Sequence, residues 1–342
     1  MNGHQTWSSF TNVVRHSTIT SKHQKLLHSM SAITQLHRFD LHIGQITKPR
    51  WSPDGRFLAL PTRSGSIGIF DIDTEKLSGT LGQHSAEVTA VTWDRKSEFI
   101  MTGSLDRSIG LWEVESGRRA PVNITGHKEP VHSVEWTDEE AFAMTCSNDR
   151  VRAFDGCCLL TGWTDEMENA VNQYTGFTSA ACSSQTTFLL AMSAENGTRL
   201  VLASLLSGAV LDSVPMSQPI HCLAWSPAEE LLAVGAGDSI LAFRATQTGF
   251  EGAPREVTCH AASTHALSFS GDGAVLASQD SEGLKIWDTR SSLLIATSQE
   301  DAQTTFNEHT TQGIAFHPTE PLLATVASGG NEFRILEVSK DG

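Results

Sequence analysis

Tyrosine occurs once in this chain, at Tyr174, and cysteine six times without a single Cys-x-x-Cys pair. Six thiols in 342 residues are too sparse for a disulfide scaffold and lack zinc-ligand spacing. Cys146, Cys157, Cys158, Cys182, Cys222 and Cys259 therefore read as free thiols of a cytoplasmic or otherwise intracellular protein. No run approaches the roughly 18 apolar residues needed to span a bilayer, and the N-terminus has no apolar signal core, so no membrane contact is expected. Basic charge is also short. Twenty-four Lys and Arg face 39 Asp and Glu, a net charge of −15 that argues against a phosphate-hugging surface and a nucleic-acid partner. No Gly-rich phosphate loop, H-E-x-x-H or EF-hand loop occurs, so neither cofactor nor metal is expected and the chain reads as a non-enzyme.

Acid is missing locally as well. Residues 1–39 carry Arg15, Lys22, Lys25 and Arg38 but no Asp or Glu, in a setting rich in Ser, Thr and His. That stretch has too few arginines and no clear apolar face for an organelle transit peptide, so residues 1–30 read as a flexible tail or linker. Of the 14 histidines, six fall in the first 42 residues, and only His23 and His28 come near a metal-ligand spacing. The Asn-x-Thr sites at Asn123 and Asn196 read as chance matches without a secretory route.

What the chain does have is a repeat. Taking the residue that ends an alternating apolar run and precedes a turn, anchors fall at Trp51, Trp93, Trp136, Ser183, Trp225, Phe269 and Phe316. Their spacing lies between 42 and 47 residues, a period that marks a repeat architecture. Eight residues after each anchor stands a small or apolar residue: Ala59, Met101, Met144, Ala191, Ala233, Ala277 and Ala324. The second repeat shows the grammar best. Val88–Trp93, Phe99–Ser104 and Ser108–Trp112 alternate with period two and are separated by polar turns. Trp51-Ser-Pro-Asp-Gly55 and Ser270-Gly-Asp-Gly273 supply the Pro and Gly that tight turns demand. Four antiparallel strands in about 44 residues make one propeller blade.

These residues resemble the WD40-repeat family over residues 33–339. Gly126-His127, nine residues before Trp136, matches the family's Gly-His, and His42, His84 and His260 occupy the same slot. Trp-Asp or a relative of it ends the third strand at Phe70-Asp71, Trp112-Glu113, Phe154-Asp155, Phe243-Arg244, Trp287-Asp288 and Leu336-Glu337. The family's turn aspartate falls on Asp106, Asp149 and Asp238. The fourth repeat departs furthest, with Tyr174 in the histidine slot, Asn196 near the aspartate slot and Ser183 for the aromatic. The resemblance implies an all-β, seven-bladed WD40 β-propeller spanning residues 31–339 as one domain.

Within that frame His84, Ser104, Asp106 and Trp112 form a buried polar network, not a catalytic Ser/His/Asp triad, because the same set recurs from blade to blade. His127 with Asp149, His42, and His260 with Trp287 are read as its counterparts. The chain stops after Asn331–Val338, the third strand of the last blade, so Ile33–Phe39 is expected to supply the missing outer strand. Function then lies on the loops around the central channel. The resemblance implies protein or peptide partners there, with Arg63, Glu87, Arg107, Lys128, Glu129, Arg150, Asp238, His265, His309 and Asn331 as candidate contacts of a monomeric scaffold, working alone or within a larger protein. The acidic run Asp165-Glu166-Met167-Glu168 beside Tyr174 is a further candidate anchor. The alternative is a propeller enzyme with a metal or acid/base site in the channel, for which the inner strands offer His132 and His221 without matching acids.

Overall fold

Seven antiparallel sheets form from the repeats, because each short run has one apolar face that only a neighbouring sheet can cover. The computed structural model describes residues 32–82, 84–120, 127–136, 142–155, 165–183, 188–258, 260–299, 313–326 and 330–339. The expected tail over residues 1–30 lies outside them, as do Gly126, Cys157, Cys158, Cys259 and His309.

The innermost strands are Arg50–Trp51, Val88–Trp93, Val131–Trp136, Ser179–Cys182, Ile220–Trp225, Ala266–Phe269 and Ile314–Phe316. Each touches the next, and the last touches the first, so the strands line a closed ring around an axis. The residue eight positions beyond the anchor is buried in all seven blades, where adjacent sheets press together. Anchor tryptophans staple the ring: the indole N–H of Trp51 donates to Ala315 O at 2.9 Å, that of Trp93 to Arg50 O at 3.1 Å, and that of Trp225 to Ala181 O at 2.9 Å. Glycine is obligatory where blades meet most closely. Gly65 has φ +92°, and a Cβ there would lie 2.1 Å from His84 O.

Strand Ile33–Asp40 pairs antiparallel with Glu332–Val338, placing Phe39 opposite Phe333. The last blade is therefore completed by the start of the chain, as expected. The fourth blade is also complete, with strands Ser179–Cys182, Leu189–Ala194, Arg199–Ser204 and Val210–Pro215. Its anchor, however, is Cys182 and not Ser183. Cys182 pairs with Leu190, Ser183 N donates to Leu189 O, and Trp225 reaches Ala181 just as Trp93 reaches Arg50. One extra residue in the following turn restores Ala191 to its place and conceals the slip.

The third blade closes its edge differently. After Val151–Asp155 the described chain resumes in helix Asp165–Val171. Asn172 then donates from Nδ2 to Val151 O at 3.1 Å and accepts from Val151 N at 2.8 Å, which is the pair of bonds a fourth strand would make. Arg152 Nε meets Glu168 Oε1 at 3.4 Å and Tyr174 rests against the apolar cluster of the third and fourth blades. Glu168 and Tyr174 thus make structural contacts, while Glu166 of the same run is exposed. Asn172→Leu leaves both Val151 groups without their partner and is expected to lower stability by about 1–3 kcal/mol. Urea unfolding measures this, and an unchanged midpoint would show that the carboxamide does not seal the edge.

Candidate functional site

Three blades carry a buried polar chain at one end of the ring, and it fixes the loops around that mouth. In the second blade His84 Nδ1 lies 3.0 Å from Asp106 Oδ2, and its Nε2 lies 2.8 Å from Thr102 Oγ1. Trp112 Nε1 donates to the same Thr102 Oγ1 at 3.0 Å. With Asp106 ionised, Nδ1 carries the proton and Nε2 accepts from the Thr102 hydroxyl, so every member is satisfied. The hydroxyl that joins histidine to indole is Thr102, not Ser104. Ser104 Oγ instead accepts from Asp106 N at 3.1 Å and shapes the turn. Its strand position, two residues on, carries it past the imidazole.

Burial pushes the Asp106 carboxyl up, but hydrogen bonds from Ser108 and Ser85, with His84 beside it, outweigh that and hold it at about 2. Burial lowers the His84 pKa, against the opposing pull of Asp106. In the third blade His127 Nδ1 and Nε2 meet Ser147 Oγ at 2.6 Å and Thr145 Oγ1 at 2.8 Å, and Ser147 passes the contact on to Asp149. Burial depresses His127 to about 4, only partly offset by Asp149.

The sixth blade repeats the chain with Trp287 donating to Ser278 at 2.8 Å, His260 Nε2 at 2.7 Å from the same hydroxyl, and His260 Nδ1 at 3.0 Å from Asp280. Asp280 was missed in sequence because its strand ends early: the aspartates of the second and third blades lie 13 residues past their anchors, whereas this one lies 11 past Phe269. Asp238 is exposed and has no histidine to serve, Met216 standing in that slot. His42 also lies outside any network. Its side chain is 70% exposed and 3.1 Å from Asp40, because Leu60 and Phe70 fill the interior of the first blade and the Thr62 hydroxyl is already engaged by Ser64 and Ser66.

Since histidine and aspartate come from the two loop sets, their contact puts both sets at the same mouth. Around it stand Leu105, Arg107, Lys128, Glu129, Asp238, His265 and Asn331, all exposed. Arg63 and Glu87 pair at 3.6 Å, and Arg150 meets Asp149 at 3.3 Å. Arg107 is held at φ +71°, which aims it away from the turn. His309 lies outside the described residues.

The channel itself encloses about 120 Å³. Four residues before each anchor, one side chain per blade stands near its wall: Thr47, Thr89, His132, Thr178, His221 and His265 among the described residues. Thr47 and Thr89 donate to Val88 O and Val131 O of the next blade at 3.0 and 2.5 Å. His132 is inward-facing with Nε2 unpartnered among the described residues, and the rings of His221 and His265 meet edge to face at 5.6 Å. Glu135 is the one acid lining the channel among the described residues, and it pairs with Arg50 at 3.0 Å.

Comparison with known proteins agrees with this geometry. The "Anaphase-promoting complex subunit 4 WD40 domain" model matches residues 18–96, and the "WD domain, G-beta repeat" model matches residues 120–161. The chain is a WD40-repeat propeller. Over 104 residues, 30% of this chain, it is 31% identical to the F-box-like/WD repeat-containing protein TBL1X of Mus musculus and 29% identical to human TBL1Y. In both cases it covers 19% of the relative's length. The propeller domain of Myceliophteria thermophila Cps50 (Swd1) superposes with a TM-score of 0.73 at 17% identity, covering 90% of this chain and all of that one. In this WD40 propeller the three polar chains hold the mouth rigid, while the channel histidines take no part in them. No group of three or more His, Cys, Asp or Glu among the described residues could hold a metal ion.

Proposed function

We propose that this WD40 propeller is a non-enzymatic interaction scaffold, working inside the cell, that receives a protein or peptide on the mouth carrying the histidine and aspartate turns. One observation carries the reading: exposed Leu105 and Arg107, with Lys128 nearby in the next blade, stand on turns fixed by buried networks, in a chain of net charge −15. An apolar side chain among cations and the acids Glu129 and Asp238 on a preorganised rim favours a protein or peptide partner bound through mixed polar contacts, since rigid loops lose little entropy on binding. The WD-repeat character of the relatives supports the same class of function. The buried free thiols Cys146 and Cys222 suit a reducing compartment.

Affinity capture with the purified chain, followed by mass spectrometry, tests it. A specific partner is expected to be lost on Arg107→Glu with Lys128→Glu and retained on Arg290→Glu, which lies at the opposite mouth. Equal retention by all three proteins would remove this rim from consideration.

A further inference from the structure

The channel wall contains a substitution that the architecture does not need. At the position four residues before the anchor, Thr47 and Thr89 tie neighbouring blades together through hydroxyl-to-carbonyl bonds, and Thr178 bonds Ser193 at 2.8 Å. In the third, fifth and sixth blades the same position is His132, His221 and His265. None of these imidazoles makes the inter-blade bond that threonine makes. His132 Nε2 is buried with no hydrogen-bond partner among the described residues, and His221 and His265 are exposed to the channel mouth with their rings 5.6 Å apart. A buried polar atom left open beside two solvent-facing imidazoles calls for a ligand or water.

A cation joins them. Lys48, from the first blade, is exposed, lines one cavity with His132 and His265, and lies close enough to act electrostatically on His132, His265 and Cys222, while His221 joins through its ring contact with His265. Acids are scarce around it. Asp280 acts on His265 but is already held by His260, and Glu135 is engaged by Arg50. His132 also faces Asn148, and His265 faces His221 and His260. We propose that this end of the channel is an oxyanion site, in which Lys48 with His132, His221 and His265 receives a carboxylate or phosphate group. The proposal rests on the scaffold reading in one respect only, that the group is presented by a bound partner.

Size and chemistry support an oxyanion over other occupants. About 120 Å³ is room enough for a carboxylate or phosphate group. Imidazoles alone can hold a transition metal, but these three are not gathered to do so: no group of three or more His, Cys, Asp or Glu among the described residues could hold a metal ion. Burial pushes Cys222 up to about 12, and its thiol donates to Thr264 O at 3.4 Å. Burial lowers the pKa of all three histidines, and for His265 the neighbouring His221, His260 and Lys48 lower it further while Asp280 opposes them. They are neutral in the empty site at neutral pH. An entering anion stabilises the imidazolium, so binding takes up protons and tightens as pH falls.

The test is an NMR titration of histidine side-chain resonances in the full chain with three probes: inorganic phosphate, N-acetyl-glutamate amide, and sulfate, whose charge is constant near neutrality. Saturable shifts of His221 and His265 are expected with at least one oxyanion. Sulfate affinity is expected to rise severalfold as pH falls below about 6.5, because burial has lowered all three histidines from that ordinary value and the bound anion raises them again. Lys48→Met is expected to weaken binding about tenfold, the loss of one charge-assisted hydrogen bond. No saturable shift with any probe, or shifts unchanged by Lys48→Met, would overturn the proposal. Because the probes are small anions, this result is independent of partner capture: the site can fail while the rim binds, and the reverse.

Discussion

A chain lacking residues 1–40 is expected to elute as an aggregate and to lose its cooperative unfolding transition, whereas Phe39→Ala stays monomeric but unfolds earlier. The truncation removes strand Ile33–Asp40 and bares the edge of Glu332–Val338, a ready template for pairing with another chain. Most of that strand is exposed, so its apolar contribution is concentrated in Phe39, which is 4% exposed. Its ring lies 5.0 Å from Phe333 of the last blade and 4.6 Å from Phe70 of the first. One side chain therefore bridges the seam where the ring closes. Removing a buried Phe side chain costs about 3–5 kcal/mol, and at about 2–4 °C per kcal/mol the midpoint falls by roughly 10 °C. Leu36→Ala, on the same strand but exposed, is the control and is expected to change stability by less than about 0.5 kcal/mol. Size-exclusion chromatography and thermal unfolding read all three. A truncated chain that remained monomeric with an unchanged midpoint would mean that the seam closes through Trp51 to Ala315 and His317 to Gly55 alone.

The blades were legible in sequence because each strand alternates and each turn needs particular residues. Ser-Pro-Asp-Gly after Trp51 and Ser-Gly-Asp-Gly after Phe269 mark hairpins wherever they occur. Seam closure was legible too, as an unpaired final strand implies a partner elsewhere. Errors arose where a fixed offset stood in for geometry. Cys182 was passed over for Ser183 because an extra turn residue realigns the rest of the blade. Asp280 was passed over because its strand is short. Ser104 was preferred to Thr102 although hydroxyls two residues apart on a strand share a face, and only the depth of the imidazole between strands decides which one it meets. His42 matched its slot by position, but the first blade offers Leu60 where the second offers Thr102, and its Thr62 hydroxyl is already taken by Ser64 and Ser66. The helix after the third blade left no periodic signal, since seven residues make fewer than two full turns.

The channel ring illustrates the same principle from the other direction. His132, His221 and His265 were visible singly as inner-strand histidines, but their common offset from Trp136, Trp225 and Phe269 acquires meaning only once Thr47 and Thr89 are seen bonding across blades at that offset. A position that is structural in two blades and open in three separates what the ring requires from what it can use. The buried networks are the converse: their histidines are held between hydroxyls and carboxylates inside the blades, so their chemistry appears in stability and not in binding.

That separation gives a second large expected effect, a loss of stability on mild acidification. His127 has a side chain 1% exposed, and burial holds its folded pKa at about 4, below the ordinary value of 6.5. Where the folded pKa is depressed, the unfolded chain takes up a proton that the native state refuses. Stability is then complete above about pH 6.5 and falls as pH drops toward 4, at about 1.4 kcal/mol per pH unit for this group. The cumulative loss from His127 is on the order of 3 kcal/mol, and His84 adds to it in the same direction. The network carboxylates do not cancel it. Asp106 and Asp280 are held at about 2, so their contribution persists until the unfolded carboxylates begin to protonate near pH 4. Urea midpoints at pH 7.5 and 5.0 measure the slope. His127→Gln is expected to be less stable than the natural chain at pH 7.5, because Thr145 and Ser147 lose an aromatic partner of the right depth, yet to show the flatter pH dependence of the two. Parallel slopes would mean that His127 is protonated in the folded ring, and the assignment of a neutral buried imidazole would have to be abandoned.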